Sequence, residues 1–199
     1  MPAAAMRTPP EPRLRPATPA DAADLARLVD LASEGLTRHF WARMAEPGED
    51  VFAVGVRRAA RDDGAFSWRN AVMAEIDGAV AGGLVTYRIG DAPEPVDEAP
   101  PIAQPLLALE NQALGTQYVN VIATYAPFRG RGVATALLRE ADRRDAGRAG
   151  LSLIVADANA VARRLYEGFG FAERARRPIV KDDWLCDSTE WVLMLRPAR

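Results

Sequence analysis

The sequence predicts a mixed domain of the α/β or α+β class, and three observations carry that prediction. Asp77-Gly78 stands between two apolar runs, a two-residue turn signal for a β-hairpin. "LSLIVAD", Leu151 to Asp157, is a continuous apolar run of the kind found in buried, parallel strands. Between such runs lie segments with helical spacing and recognisable caps. The element order reads roughly β-α-α-β-β-β-α-β-α-β-β.

Residues 1 to 12 are rich in Pro and Ala and are expected to form a disordered tail, with residues 13 to 199 as a single domain. Arg13 to Ala17 reads as a short strand. Thr18 is a good N-cap, Pro19 fits the first helical position, and Asp21 falls in the first turn. Leu25, Leu28, Val29 and Leu31 recur at helical spacing until Gly35. "TRHFWARMAEP" predicts a second, shorter helix that stops near Pro47 and Gly48. "WRNAVMAEIDGAVAGGLVTYRIG" predicts the hairpin. Gly90 to Pro105, dense in proline and acid, predicts an exposed loop.

"PLLALENQAL" follows as a short helix and Thr116 to Tyr125 as a strand. Simple alternation puts Tyr118, Asn120 and Ile122 on one face of that strand and Val119, Val121 and Ala123 on the other. A glycine-rich loop comes next, then a helix to about Arg144. After the buried strand, "NAVARRLYEGFGF" reads as a compact helix with Asn159 as N-cap and Gly168 at the C′ position. "FAERARRPIV" and "TEWVLMLRP" supply the last strands.

Composition narrows the function classes. The hydrophobic fraction of 49% and charged fraction of 26% suit a soluble globular protein. A net charge of −2 gives no reason to expect nucleic-acid binding. No apolar run is long enough to predict a membrane span, and the start lacks a signal-peptide core, so a cytoplasmic location is the default expectation. Cys186 is the lone cysteine and His39 the lone histidine. That argues against an internal disulfide, a thiol-built metal site or a Ser–His–Asp device, and no metal is expected. His39 itself reads as a structural or surface residue.

The chemistry is concentrated in "FRGRGVATALL", Phe128 to Leu138. A helix start leaves backbone N–H groups unpaired and carries partial positive charge. Gly130 and Gly132 let an anion approach the chain closely, and Arg129 and Arg131 add forked donors suited to phosphate. A Walker loop would need Gly-Lys-Ser/Thr, which is absent. A dinucleotide fingerprint would need Gly or Ala where Thr135 stands. Further on, Asn159 and Tyr166 are seven residues apart, within about 20° of the same helix face. Ala162 lies between them, so an amide, a methyl and a phenol share one surface roughly 10 Å long.

Together these pieces resemble the GNAT superfamily of acetyl-CoA-dependent N-acetyltransferases. Its pyrophosphate loop, Arg/Gln-x-x-Gly-x-Gly/Ala, is matched by Arg129-Gly130-Arg131-Gly132-Val133-Ala134, with "VIAT" before it and "N…LYEGFGF" after it. The resemblance spans most of the chain, from "RLRPATPADAADLARL" to "EWVLML". It implies a mixed, mainly antiparallel sheet flanked by helices, whose fourth and fifth strands splay apart to admit acetyl-CoA. It implies that backbone groups of Ile122, Ala123 and Thr124 pair with the pantetheine arm. The N–H groups from Arg129 through Gly130, Arg131, Gly132, Val133 and Ala134 to Thr135 would hold the pyrophosphate. Asn159 would contact the cofactor, and Tyr166 would stand near the thioester sulfur.

Those roles suit acyl transfer to an amine. A strand N–H stabilises a developing oxyanion. A positioned phenol protonates a departing thiolate. A lysine-type amine titrates near 10.4, so a base or a water relay must remove a proton. Several relatives carry a carboxylate on the strand before the cofactor contacts, where this chain has Tyr118 and Asn120. Glu110 in "LALENQ" and Glu34 in "LASEGL" could each approach from another element, and Glu110 is the catalytic candidate. Pro127 stands one place later than the proline of many relatives.

The expected activity is transfer of acetyl from acetyl-CoA to a primary amine: a small molecule, an amino acid or a protein N-terminus. The missing strand carboxylate motivates the alternative of a CoA-binding sensor or interaction domain without chemistry. A nicotinamide-dependent enzyme is the third reading. A homodimer would be unsurprising by the same resemblance.

Overall fold

A computed structural model describes residues 11–198. The proposed tail at residues 1 to 12 therefore lies almost wholly outside the described residues. Seven strands form one sheet in the order β1-β2-β3-β4-β5-β7-β6. They are β1 (Arg13–Pro16), β2 (Ala71–Ile76), β3 (Ala79–Arg88), β4 (Gln117–Thr124), β5 (Leu151–Ala156), β6 (Ala172–Pro178) and β7 (Glu190–Arg196). All neighbours pair antiparallel except β4 and β5.

The helices are α1 (Ala22–Ala32), α2 (Leu36–Met44), α3 (Val51–Ala59), α4 (Gln104–Glu110), α5 (Val133–Asp145) and α6 (Ala160–Phe169). They cover both faces of the sheet. On one face Val133, Leu137, Leu138 and Ala141 of α5 and Tyr166 of α6 pack against Leu84, Val119, Leu153 and Val192. On the other, α1 to α3 bury Leu25, Leu28, Trp41 and Val54 against Met73, Val85, Val121 and Ala123. A third cluster joins α4 to the far half of the sheet through Leu109, Tyr118, Trp191 and Leu193.

Local sequence accounts for most of these elements. The Asp77-Gly78 turn forms as expected, with φ values of 52° and 79° that match a primed hairpin turn. Before α1, the short turn Pro19–Asp21 is tied down by Asp21, whose carboxylate accepts from the Thr18 N–H (2.8 Å) and from both ends of the Arg15 guanidinium. Asn159 caps α6 by accepting from the Ala162 N–H at 3.1 Å.

Three details differ from the sequence reading. The helix α3 was not expected. Asp50 caps it by accepting from the Phe52 N–H at 3.0 Å, but Gly55 in its middle weakens the helical signal. Gly55 is there because the Trp41 ring lies directly on its α-carbon, leaving no room for a Cβ. The last helix runs through Gly168 to Phe169, and Gly170 (φ 98°) takes the left-handed terminal position instead.

The third difference concerns the faces of β4. Val85 pairs with Val121 and Thr86 with Val119, so Asn120 is an extra residue opposite no partner. This bulge resets the alternation. Val119 and Ile122 pack into the α5 side, while Val121 and Ala123 pack into the α1 side and Tyr118 into the third cluster. The expected grouping of Tyr118 with Ile122, and of Val119 with Ala123, is therefore corrected.

Candidate functional site

β4 and β5 pair at only two positions, Gln117 with Leu151 and Tyr118 with Ser152. Beyond Tyr118 the strands part, while β5 stays paired along its whole length with β7 on its other edge. The β5-facing edge of β4 from Val119 to Thr124 then has no strand beside it. Such an edge carries a row of N–H and C=O groups able to bind an extended partner.

A cleft of about 760 Å³ opens at this fork. Its walls bring together Asn120, Ile122, Ala123 and Thr124 of β4, the loop from Phe128 to Thr135, and Asn159, Ala162 and Tyr166 of α6. These come from three separated stretches of chain. The sequence had named nearly all of them. Among the lining residues it had not placed at the site are Ser33, Ile154, Leu165 and Trp191.

The glycine loop is shaped as an anion cradle. Gly130 and Gly132 have φ values of 74° and 77°, a region that favours glycine. Open space lies where a Cβ would project from either one. The first hydrogen bond of α5 runs from the Ala136 N–H to the Gly132 carbonyl at 2.9 Å. The N–H groups of Val133, Ala134 and Thr135 precede it, and no side chain caps them. Arg129 lines the cleft, with its Nε near the Thr124 carbonyl at 3.5 Å. The Arg131 side chain turns away, sitting 3.7 Å from Asp77 and over the Phe128 ring. Its backbone stays in the loop, so its fixed charge is shared with the hairpin turn.

A polar atom in the cleft supports the same ligand chemistry. The Thr124 hydroxyl is buried with no partner among the described residues. A buried hydroxyl left unpaired costs free energy that a bound ligand can recover. Uncapped amides, an open glycine cradle and an orphaned hydroxyl along an unpaired strand edge fit a diphosphate followed by an amide-bearing arm.

Tyr166 lines the opposite wall at 8% exposure, packed edge-on against Phe171 at 5.9 Å. Burial pushes its phenol well above the usual tyrosine range, so it remains a proton donor.

The two carboxylates of interest part company. Glu34 lines the cleft; its Oε1 accepts from the Asn159 amide at 3.0 Å. Glu110, at the end of α4, is not among the cleft-lining residues. It reaches the cleft indirectly, because its carboxylate and the buried Tyr118 hydroxyl influence each other, as do that hydroxyl and the Asn120 side chain. Burial, with a smaller contribution from Glu94, pushes the Glu110 carboxyl up to about 7, against a lowering by Tyr118. Among the described residues there is no group of three or more His, Cys, Asp or Glu placed to hold a metal ion, and no helix is long and apolar enough to cross a membrane.

A model of the acetyltransferase (GNAT) family matches residues 34–171, more than half of the chain. The fold is similar to that of an N-acetyltransferase from Staphylococcus aureus Mu50 (21% identity, 92% of this chain and 99% of that chain, TM-score 0.64). It is similar to Ard1 from Thermoplasma volcanium (17% identity, 96% of this chain and 99% of that one, TM-score 0.60). It is also similar to a chain of the NatC complex bound to Gag peptide and CoA (16% identity, 96% of this chain and 100% of that one, TM-score 0.56). No curated protein matches the chain in sequence.

Proposed function

The chain belongs to the GNAT family of acetyltransferases, and from that premise we propose that it moves an acetyl group from acetyl-CoA to a primary amine within a ternary complex. The observation that carries this reading is the fork itself. An unpaired strand edge leads into a glycine cradle, with a buried phenol on the facing helix.

Acetyl-CoA supplies the acetyl thioester: a C–N bond to the amine replaces the C–S bond, one proton leaves nitrogen and one reaches sulfur. The chain's residues divide the remaining work. N–H groups from Gly130 to Thr135 bind the pyrophosphate; the Arg129 N–H donates to the Ala126 carbonyl, and its side chain adds charge. The open edge of β4 at Ile122, Ala123 and Thr124 holds the pantetheine arm and turns an N–H toward the acetyl oxygen. Tyr166 donates the proton that sulfur takes up. Asn159 holds Glu34 at the cleft wall, where that carboxylate attracts the acceptor's ammonium and receives its proton. Glu110 acts at one remove, its charge orienting Tyr118 and through it the Asn120 amide. Residues 13 to 199 form the one domain that does this, in the cytoplasm.

Parallel melting with acetyl-CoA, CoA and NAD tests the premise. A ligand at 100 times its Kd stabilises by about 2.7 kcal/mol, which is ~5–11 °C for a chain of this size. We expect that shift with both CoA species and none with NAD. Thiol release over a panel of amines then tests transfer. No shift with CoA would overturn the proposal. A shift without thiol release from any amine would leave a CoA-binding domain without chemistry.

A further inference from the structure

A second cavity, of about 510 Å³, opens beside the cleft. Its walls are Glu34, from the junction of α1 and α2; Ala158, just before α6; and Leu185, Cys186, Asp187 and Ser188 from the loop between β6 and β7. Glu34 is the residue that lines both spaces.

Glu34 is held there at a cost. Its φ of 52° is left-handed, a region disfavoured for a residue with a Cβ, and Gly35 follows at 87°. Strain of that kind persists where the surroundings over-determine it. Here the Glu34 carbonyl accepts from the Trp184 indole at 3.2 Å, and Trp184 stacks on Trp191 at 5.8 Å. The same residue thus fixes the β6–β7 loop against the cleft.

Three residues on the walls of this cavity carry acceptor atoms without a partner among the described residues. The Glu34 carboxylate uses Oε1 for Asn159, and its Oε2 has no partner among the described residues. Asp187 is exposed and has no ion pair among them. Ser188 is 1% exposed, yet its hydroxyl is buried without a partner. The neighbouring charges are already engaged. Lys181 donates to the Cys186 carbonyl at 2.8 Å, and Asp157 accepts from Thr189 and Ala158. An ammonium carries three donors and no acceptor. Asp187 and Ser188 complement that group, while Glu34, which lines both spaces, faces the nitrogen that reacts in the cleft.

We propose that this cavity holds the distal ammonium of a diamine acceptor, whose other nitrogen reacts in the cleft next door. The inference rests on the acetyltransferase reading and adds the acceptor's class to it. Selectivity comes from the second charge. A monoamine reaches Glu34 from the cleft, whereas a diamine engages Asp187 and Ser188 as well.

The test compares 1,4-diaminobutane with 1-aminobutane at saturating acetyl-CoA, by thiol release. Beyond the factor of two from its equivalent nitrogens, the diamine should show a kcat/KM about tenfold higher, the yield of a charge-assisted hydrogen bond. Asp187→Asn, an isosteric change at an exposed site, should remove most of that preference, and Ser188→Ala part of it. Equal kcat/KM for the two amines, or an undiminished preference in Asp187→Asn, would overturn the inference. Calorimetric titration of 1,4-diaminobutane into the CoA-loaded protein decides the matter without turnover. The diamine should bind, and bind about tenfold more weakly to Asp187→Asn. No heat of binding overturns the diamine pocket, whereas absent thiol release with intact diamine binding counts against the acetyltransfer reading alone.

Discussion

The two sides of the cleft are built by different means. The proposed phosphate side is one short stretch, Phe128 to Thr135, from which only Arg131 turns away, and its working parts would be backbone amides set by two left-handed glycines. The acceptor side gathers Glu34, Asn120, Tyr166 and, behind them, Glu110 and Tyr118, which span most of the chain. One side depends on the local conformation of a short loop. The other depends on where the whole sheet places distant side chains. Substitutions should therefore fail in different ways: changes on the phosphate side in binding, changes on the acceptor side in turnover and pH dependence.

The sharpest way to break that contrast is Tyr166→Phe. It should lower kcat by on the order of 100-fold, as loss of a proton donor does, while the Kd for CoA stays near that of the wild type. A matching loss of CoA affinity would show that the tyrosine's main task is packing. Gly132→Val should do the reverse. A β-branched residue at a φ of 77° carries strain of roughly 1–3 kcal/mol, so CoA affinity measured by calorimetry should fall about tenfold or more. An unchanged affinity would mean that the cradle does not hold phosphate.

Glu110→Gln has the smallest expected effect and sharpens the comparison through pH. The folded protein raises this carboxyl from its usual 4.5 to about 7, mainly by burial. A raised carboxyl pKa stabilises the fold below the unfolded value, and that contribution is lost as pH climbs through 7. Glu110→Gln should therefore melt a few degrees higher than wild type at pH 8 and no higher at pH 4. If the Glu110 charge orients Tyr118 and Asn120, wild-type kcat should rise through a pH near 7. That limb should vanish in the variant, with a roughly tenfold lower rate at pH 8. A limb that survives in Glu110→Gln would assign it to another group.

The same division explains what the sequence disclosed. The glycine loop, the Asn159 cap, the Asp77-Gly78 turn and the apolar β5 were legible because each depends on neighbours a few residues away. The face pattern of β4 was not, because the extra residue at Asn120 is visible only from its pairing with β3. Helix α3 escaped because Gly55 serves the Trp41 ring, a contact between elements. Glu34 and Glu110 read alike as nearby carboxylates. Their different positions, one on the cleft wall and one a residue behind it, are set by tertiary packing alone. The acidic cavity is less legible still, since its walls lie about 150 positions apart in the chain.

The brevity of contact between β4 and β5 carries a last implication. The sheet is sewn together there by two stitches, and a molecule lying along the open seam would close it. Such a molecule is mortar as well as reagent. If that molecule is the proposed acetyl donor, a protein short of it would lack the piece that completes its own wall along with the group it is to transfer.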